Sequence, residues 1–310
     1  MTRILAPGEI EASAQRTTPR IRLPDRASLF ATRAQRMRQL GEPGAAGQAI
    51  GDYLRLMATV AEAQQVALTT FEPPSPTAAQ LAQSRTHHMP LIHATGWLRA
   101  PVWRELVKHV CGAVIAQDSG APMDAREACR RLIALSVEAL EAQADALLTP
   151  RHEAIDIAAA PFLMAALQAD WVALASHLAP EDLPELEVPG VCPTCGALPV
   201  ASIVRADPRS QGYRYLHCAL CATEWHLVRV TCSHCQSTEG VSYYSIEGGS
   251  AAVRAEACDH CRTYRKILYQ EKDPAVEPVA DDLASIALDV LMAEAGYHRA
   301  SGNPLLWQTA

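Results

Sequence analysis

No uncharged apolar stretch in this 310-residue chain runs longer than the 13 residues of 157–169, and Pro161 interrupts that one. A helix crossing a bilayer needs about 20 such residues. The sequence therefore predicts no transmembrane segment and reads 157–169 as a buried helix. The N-terminus lacks the apolar run of a secretory signal, and Glu9 and Glu11 break up its arginines. An organelle-targeting peptide is poor in acids, so these residues and Asp25 speak against that too. There is no Gly-rich phosphate loop, no nucleophile elbow and no zinc-hydrolase helix motif. Positive charge is not in excess: 27 Lys and Arg face 34 Asp and Glu, a net of −7. That balance disfavours a general nucleic-acid binder. A cytoplasmic location is expected, where cysteines stay reduced.

What the chain does hold is core material, with 49% hydrophobic and 20% charged residues, enough for two domains. Residues 1–40 are rich in arginine (20, 22, 26, 33, 36 and 38 among them) and read as a loose arm entering a helix at 29–40. In the alanine-rich part to 185, Ile50, Tyr53, Leu54, Met57, Val60 and Ala61 keep helical spacing. Helices are predicted at 50–70, 103–117, 124–148 and 161–178, with Pro73, Pro74 and Pro76 breaking the chain, which suggests a bundle. A last helix is expected after Pro278. Leu283, Ile286, Ala287 and Val290 should form its apolar stripe, with Asp281, Asp282 and Asp289 on or near its solvent side.

Ten cysteines are present, eight of them within 192–261. Cys192, Cys195, Cys218 and Cys221 become Cys232, Cys235, Cys258 and Cys261 on adding 40. Arg214 and Arg254, and Ser202 and Ser242, keep the same offset. Each unit is a C-x2-C pair, 22 residues, and a second C-x2-C pair. Two sulfurs two residues apart can point inward from one tight turn whose N–H groups face them. Two such turns place four sulfurs at the corners of a tetrahedron, about 2.3 Å from a metal. The repeat favours one self-contained site per unit; pairing Cys218 and Cys221 with Cys232 and Cys235 is the alternative. Zinc is the default for four thiolates, and iron takes the same ligands. His217, His234 and His260 lie in or beside the pairs and are expected outside the ligand set or facing solvent. Cys111 and Cys129 are expected to be buried and inert. A site closed by four thiolates has no open position for substrate, so no catalytic residue is predicted.

The words CPTCG at 192–196, RYLHC at 214–218, TEWH at 223–226, ILYQEKDP at 267–274, VADDLAS at 279–285 and GNPLL at 302–306 resemble the formate dehydrogenase accessory protein family, FdhE. GDYLR at 51–55 and AEAQQVAL at 61–68 resemble its N-terminal helical signature. The resemblance implies an α+β chain: an N-terminal all-α bundle (1–185), two tandem rubredoxin-like, zinc-ribbon-like four-cysteine modules (186–228 and 229–272), and a C-terminal helix and tail (273–310). It implies that all eight paired cysteines are metal ligands and moves the expected metal from zinc towards iron. It also implies a non-enzymatic cytoplasmic factor that contacts the catalytic subunit of respiratory formate dehydrogenase, with a homodimer left open. Two other classes stay in view. An iron–thiolate site can carry an electron, and Arg262, Tyr264, Arg265 and Lys266 form a basic, aromatic cluster of the kind nucleic acids contact.

Overall fold

A computed structural model of the chain describes residues 19–43, 48–117, 120–149, 155–184, 186 and 188–307. Most of the arm's first half therefore lies outside the described residues. Its second half is not loose. Ile21–Arg22 forms a strand, β1, and Arg20 accepts a backbone hydrogen bond from His226.

Helices then follow in series: α1 (Leu29–Leu40), α2 (Gln48–Leu68), α3 (Ala78–His87), α4 (Trp103–Ile115), α5 (Met123–Ile133), α6 (Val137–Leu148) and α7 (Ala160–Ser176). Two differ from the sequence reading. The stretch 124–148 is two helices, because the Ser136 hydroxyl accepts from the Ala139 N–H and starts a new one. Past the prolines, α3 was not anticipated. Thr77 and Gln80 form its capping box, with Gln80 N–H on Thr77 Oγ1 at 3.3 Å and Thr77 N–H on Gln80 Oε1 at 2.8 Å. Helix α7 is buried on every side from Ala160 to Ala175, which makes it the axis of the helical layer. Cys111 and Cys129 lie fully buried on α4 and α5. A hydrogen bond between them and burial push the Cys111 thiol well above its ordinary range, so both behave as core.

The second half is one sheet. Its strands are β2 (Pro199–Val204), β3 (Arg214–Cys218), β4 (Glu224–His226), β5 (Val241–Tyr244), β6 (Val253–Cys258), β7 (Thr263–Tyr269) and β8 (His298–Arg299). The order is β1-β4-β3-β2-β7-β6-β5, with β8 beside the start of β7. The 40-residue offset survives as geometry. Tyr215 faces His226 and Leu216 faces Trp225 in the first unit; Ala255 faces Lys266 and Glu256 faces Arg265 in the second. The two units are joined by β2 and β7, which run parallel with Ser202 opposite Ile267 and Val204 opposite Tyr269. Buried Arg214 of the first unit also meets Glu256 of the second at 2.9 Å.

The C-terminal segment departs most from expectation. It is two helices, α8 (Pro278–Ala284) and α9 (Ile286–Glu294), separated at Ser285. Val290 is 55% exposed and Ala287 is exposed, whereas Leu283, Leu288 and Met292 are buried. Asp281 and Asp282 do not face solvent. Arg36 reaches both oxygens of Asp281, at 2.9 and 2.6 Å, and Arg33 meets Glu277 at 2.9 Å. Asp282 accepts from Arg299 and Asn303 and lies 3.6 Å from Lys266. Apolar residues alone do not set the face of this helix, because its acids have buried cationic partners. The same pairing dismantles the basic cluster. Arg265, Lys266 and Tyr264 are buried and only Arg262 is exposed.

Two outcomes follow from these buried charges. Asp281→Lys places two cations together where a carboxylate was, and leaves Arg36 with only the half-buried Asp273 as its carboxylate partner. It should lower stability by about 3–5 kcal/mol, read as a fall in the denaturant midpoint without change of slope. Glu224 is held by Arg205, by Arg22 at 3.5 Å and by His217 at 3.0 Å. Burial alone would raise its pKa, but Arg205 and His217 bring it down to about 2. The unfolded value is about 4.3, so the folded state releases this proton more readily. About 3 kcal/mol of stability is thus present above the unfolded value and disappears as pH falls towards 2. Glu224→Gln should be less stable at neutral pH and should lose this part of the acid limb.

Candidate metal centre

Each cysteine pair sits in a knuckle, a turn beginning at one cysteine and closing just past the next. In the first knuckle of each unit the closing bond is Gly196 N–H to Cys192 O, 2.8 Å, and its counterpart Gln236 N–H to Cys232 O, 3.0 Å. The residue after each second cysteine has positive φ: Gly196 at 75°, Ala222 at 57°, Gln236 at 64° and Arg262 at 55°. Only one of the four is glycine. A left-handed conformation costs a residue with a side chain about 1–2 kcal/mol, so something outweighs that cost at three turns. At Gly196 a side chain would also meet the His93 ring at 3.2 Å, which is where the helical layer packs on the knuckle.

The turns gather the sulfurs into two groups, Cys192, Cys195, Cys218 and Cys221, and Cys232, Cys235, Cys258 and Cys261, each with all sulfurs within 4.8 Å of one another. This is the grouping that the repeat favours, and the cross-unit alternative is not formed. The Sγ···Sγ separations are 3.5 Å for Cys192–Cys221 and 3.4 Å for Cys195–Cys218; in the second group Cys232–Cys261 and Cys235–Cys258 are both 3.7 Å. A disulfide is about 2.05 Å, so the cysteines are free. A tetrahedron with metal–sulfur bonds of about 2.3 Å has edges of about 3.8 Å; the second group's separations lie at that figure and the first group's a few tenths of an ångström inside it.

The surroundings favour thiolate. The N–H groups of Leu220 and Cys221 point at Cys218 Sγ, each at 3.4 Å; those of His234 and Cys235 point at Cys232 Sγ at 3.4 and 3.5 Å. Thr223 Oγ1 lies 3.2 Å from Cys221 Sγ, and its counterpart Thr263 Oγ1 lies 3.0 Å from Cys261 Sγ. Cysteine spacing did not point to these threonines, although their shared offset of 40 could have. In the first group burial opposes ionisation. Hydrogen bonds from the neighbouring thiols still pull Cys192 well below its ordinary range, while burial and those same neighbours hold Cys195 and Cys218 well above theirs. A bound dication would favour the thiolate form, and the donor set suits zinc or iron. His217 is buried, with Nδ1 on Glu224, while His234 and His260 are exposed. None of the three histidines joins either sulfur group.

The first group is also tied to the helical layer. Ile92 N–H bonds to Thr194 O at 3.1 Å, Ala94 N–H to Cys195 O at 2.8 Å, and Gln168 Nε2 to Ala219 O at 2.7 Å. Removing a ligand from each group should therefore have unequal effects. With a structural metal supplying on the order of 10 kcal/mol, Cys195→Ser should lose one metal and part of the helical signal. Cys235→Ser should lose one metal and keep the helices. Metal analysis with far-ultraviolet circular dichroism distinguishes the two, and equal helix loss in both variants would contradict it.

Comparison with known proteins places this geometry in a family. Residues 18–187 match the family model described as FdhE, N-terminal; 191–229 match the FdhE central domain, and 230–306 the FdhE C-terminal domain. The protein FdhE homolog of Cronobacter sakazakii is 39% identical over 309 residues, covering 98% of this chain and 97% of that protein. Protein FdhE of Escherichia coli (strain K12 / DH10B) is 38% identical over the same length and coverage. The crystal structure of the FdhE protein from Pseudomonas aeruginosa superposes with a TM-score of 0.80 at 36% identity, covering 94% of this chain and 100% of that one. With all three of its domains matched and its fold shared with a solved member, this chain belongs to the FdhE family.

Proposed function

We propose that this chain is a non-enzymatic accessory factor for the assembly of respiratory formate dehydrogenase. It binds that enzyme's catalytic subunit in the cytoplasm and holds one metal in each cluster. Cys192, Cys195, Cys218 and Cys221 are the ligands of one, and Cys232, Cys235, Cys258 and Cys261 of the other. Iron is the assigned metal, with zinc able to fill the same sites.

The observation that carries this reading is closure. Each cluster presents four sulfurs at tetrahedral spacing. A metal so held has no free position for a substrate, so the sites serve folding and recognition better than turnover. The family name links the chain to formate dehydrogenase. No helix among the described residues is long and apolar enough to cross a membrane.

The test is co-purification. The tagged chain, co-expressed with the formate dehydrogenase catalytic subunit, should retain that subunit through washing and carry two metals in the same sample. The Cys195→Ser variant should lose both the subunit and one metal. An eluate with two metals per chain but no subunit at low salt would remove the client from this reading.

A further inference from the structure

The two clusters share one architecture and differ in what covers them. In the first, all four cysteines are buried. The residues just before the second cysteine of each knuckle, Thr194 and Leu220, are buried with them. The 92–94 loop and Gln168 of α7 hydrogen-bond to its knuckles from outside. In the second, Cys235 and Cys261 are half-exposed. The positions matching Thr194 and Leu220 hold His234 and His260, and both are exposed. Its first knuckle is anchored from the sheet itself, by Arg265 Nε donating to Ser233 Oγ at 2.9 Å. Its second is anchored by the segment after α9, where His298 N–H bonds to Arg262 O at 2.8 Å and the Tyr297 hydroxyl to Asp259 Oδ1 at 2.5 Å. Both leave the histidines outside.

Metal leaves a closed four-thiolate site when an incoming ligand attaches before an outgoing sulfur departs, so exchange needs an open edge. The first cluster is covered by protein on both knuckles. In the second, two of the four cysteines are only half-buried, and an exposed imidazole, a good ligand for first-row transition metals, lies on each knuckle beside them.

We propose that the second cluster is the exchangeable metal site of this chain. His234 and His260 form its port for a first-row divalent transition metal, and the first cluster is a locked structural site. This inference rests on the reading that both clusters hold metal.

The zinc-loaded full-length chain is mixed with the chromogenic chelator pyridylazoresorcinol, and zinc release is followed by absorbance. Freed thiols are trapped with N-ethylmaleimide, which takes sulfur and proton across its double bond, and are then mapped by peptide mass. One zinc should leave fast and one slowly, with Cys232, Cys235, Cys258 and Cys261 labelled first. Replacing both His234→Ala and His260→Ala should slow the fast phase about tenfold, the scale on which groups just outside a ligand shell act. Metal content and circular dichroism should stay unchanged. Release in a single phase, earlier labelling of the first cluster, or an unaltered fast phase in the double variant would overturn the proposal. A starting content below two zinc per chain would instead overturn the two-metal reading, and this inference with it.

Discussion

Gathering four sulfurs within 4.8 Å without oxidising them is the constraint on which the sheet half of the structure depends. The sulfurs repel as they ionise, and burial of the first cluster sharpens that repulsion. A bound dication reverses the sign of the problem and returns on the order of 10 kcal/mol. Against that, left-handed backbone at Ala222, Gln236 and Arg262 costs about 1–2 kcal/mol each. The metal term outweighs the strain, so the turns need not be glycine. Gly196 is the exception for a second reason, since the helical layer lies against it.

Duplication explains the cysteines but not the way the units combine. Two separate modules would each expose sheet edges, which invite pairing with other chains. Here β2 of one unit and β7 of the other close on each other in parallel, and β1 from the arginine-rich arm covers the outer edge of β4. The 92–94 loop and α7 then cover the first unit's knuckles, whereas the second unit's Cys258–Cys261 knuckle meets only the short segment that follows α9, among the described residues. Two clusters of one descent thereby come to lie in different environments, and the difference resides in what packs on them rather than in their ligands.

Much of this was legible in the sequence. The cysteine period fixed the clusters, and helical spacing marked α1, α2, α4 and α7 close to their observed limits. What could not be read was long-range charge pairing. Asp281 and Asp282 look like solvent-side acids when the helix is read alone. Their partners are Arg36, 245 residues away, and Arg299, and no local pattern encodes such a meeting. The same blindness made Arg265 and Lys266 look like a surface cluster. Breaks at Ser136 and Ser285 were hidden because the apolar pattern continues through both; in the structure the Ser136 hydroxyl caps the helix that follows, and the Ser285 hydroxyl donates to the Asp281 and Asp282 carbonyls of the helix that ends.

These buried charges also account for how the C-terminal helices are placed. Apolar contact between α1 and α8 would tolerate sliding, since hydrophobic attraction has no preferred register. Arg33 on Glu277 and Arg36 on Asp281 allow one alignment only. Burial leaves Asp281 above its ordinary range even with Arg36 upon it, while Asp281 and Asp273 raise Arg36 above its own against the same burial. One residue on, Lys266 and Arg299 hold Asp282 below its ordinary range against the same burial, and there the pairing more than offsets the desolvation. Lys266 belongs to β7, the strand that joins the two units. Adjacent carboxylates on α8 therefore face opposite neighbours, one the helical layer and one the sheet. Through them the alignment of the helices is fixed to the strand that begins just after Cys261.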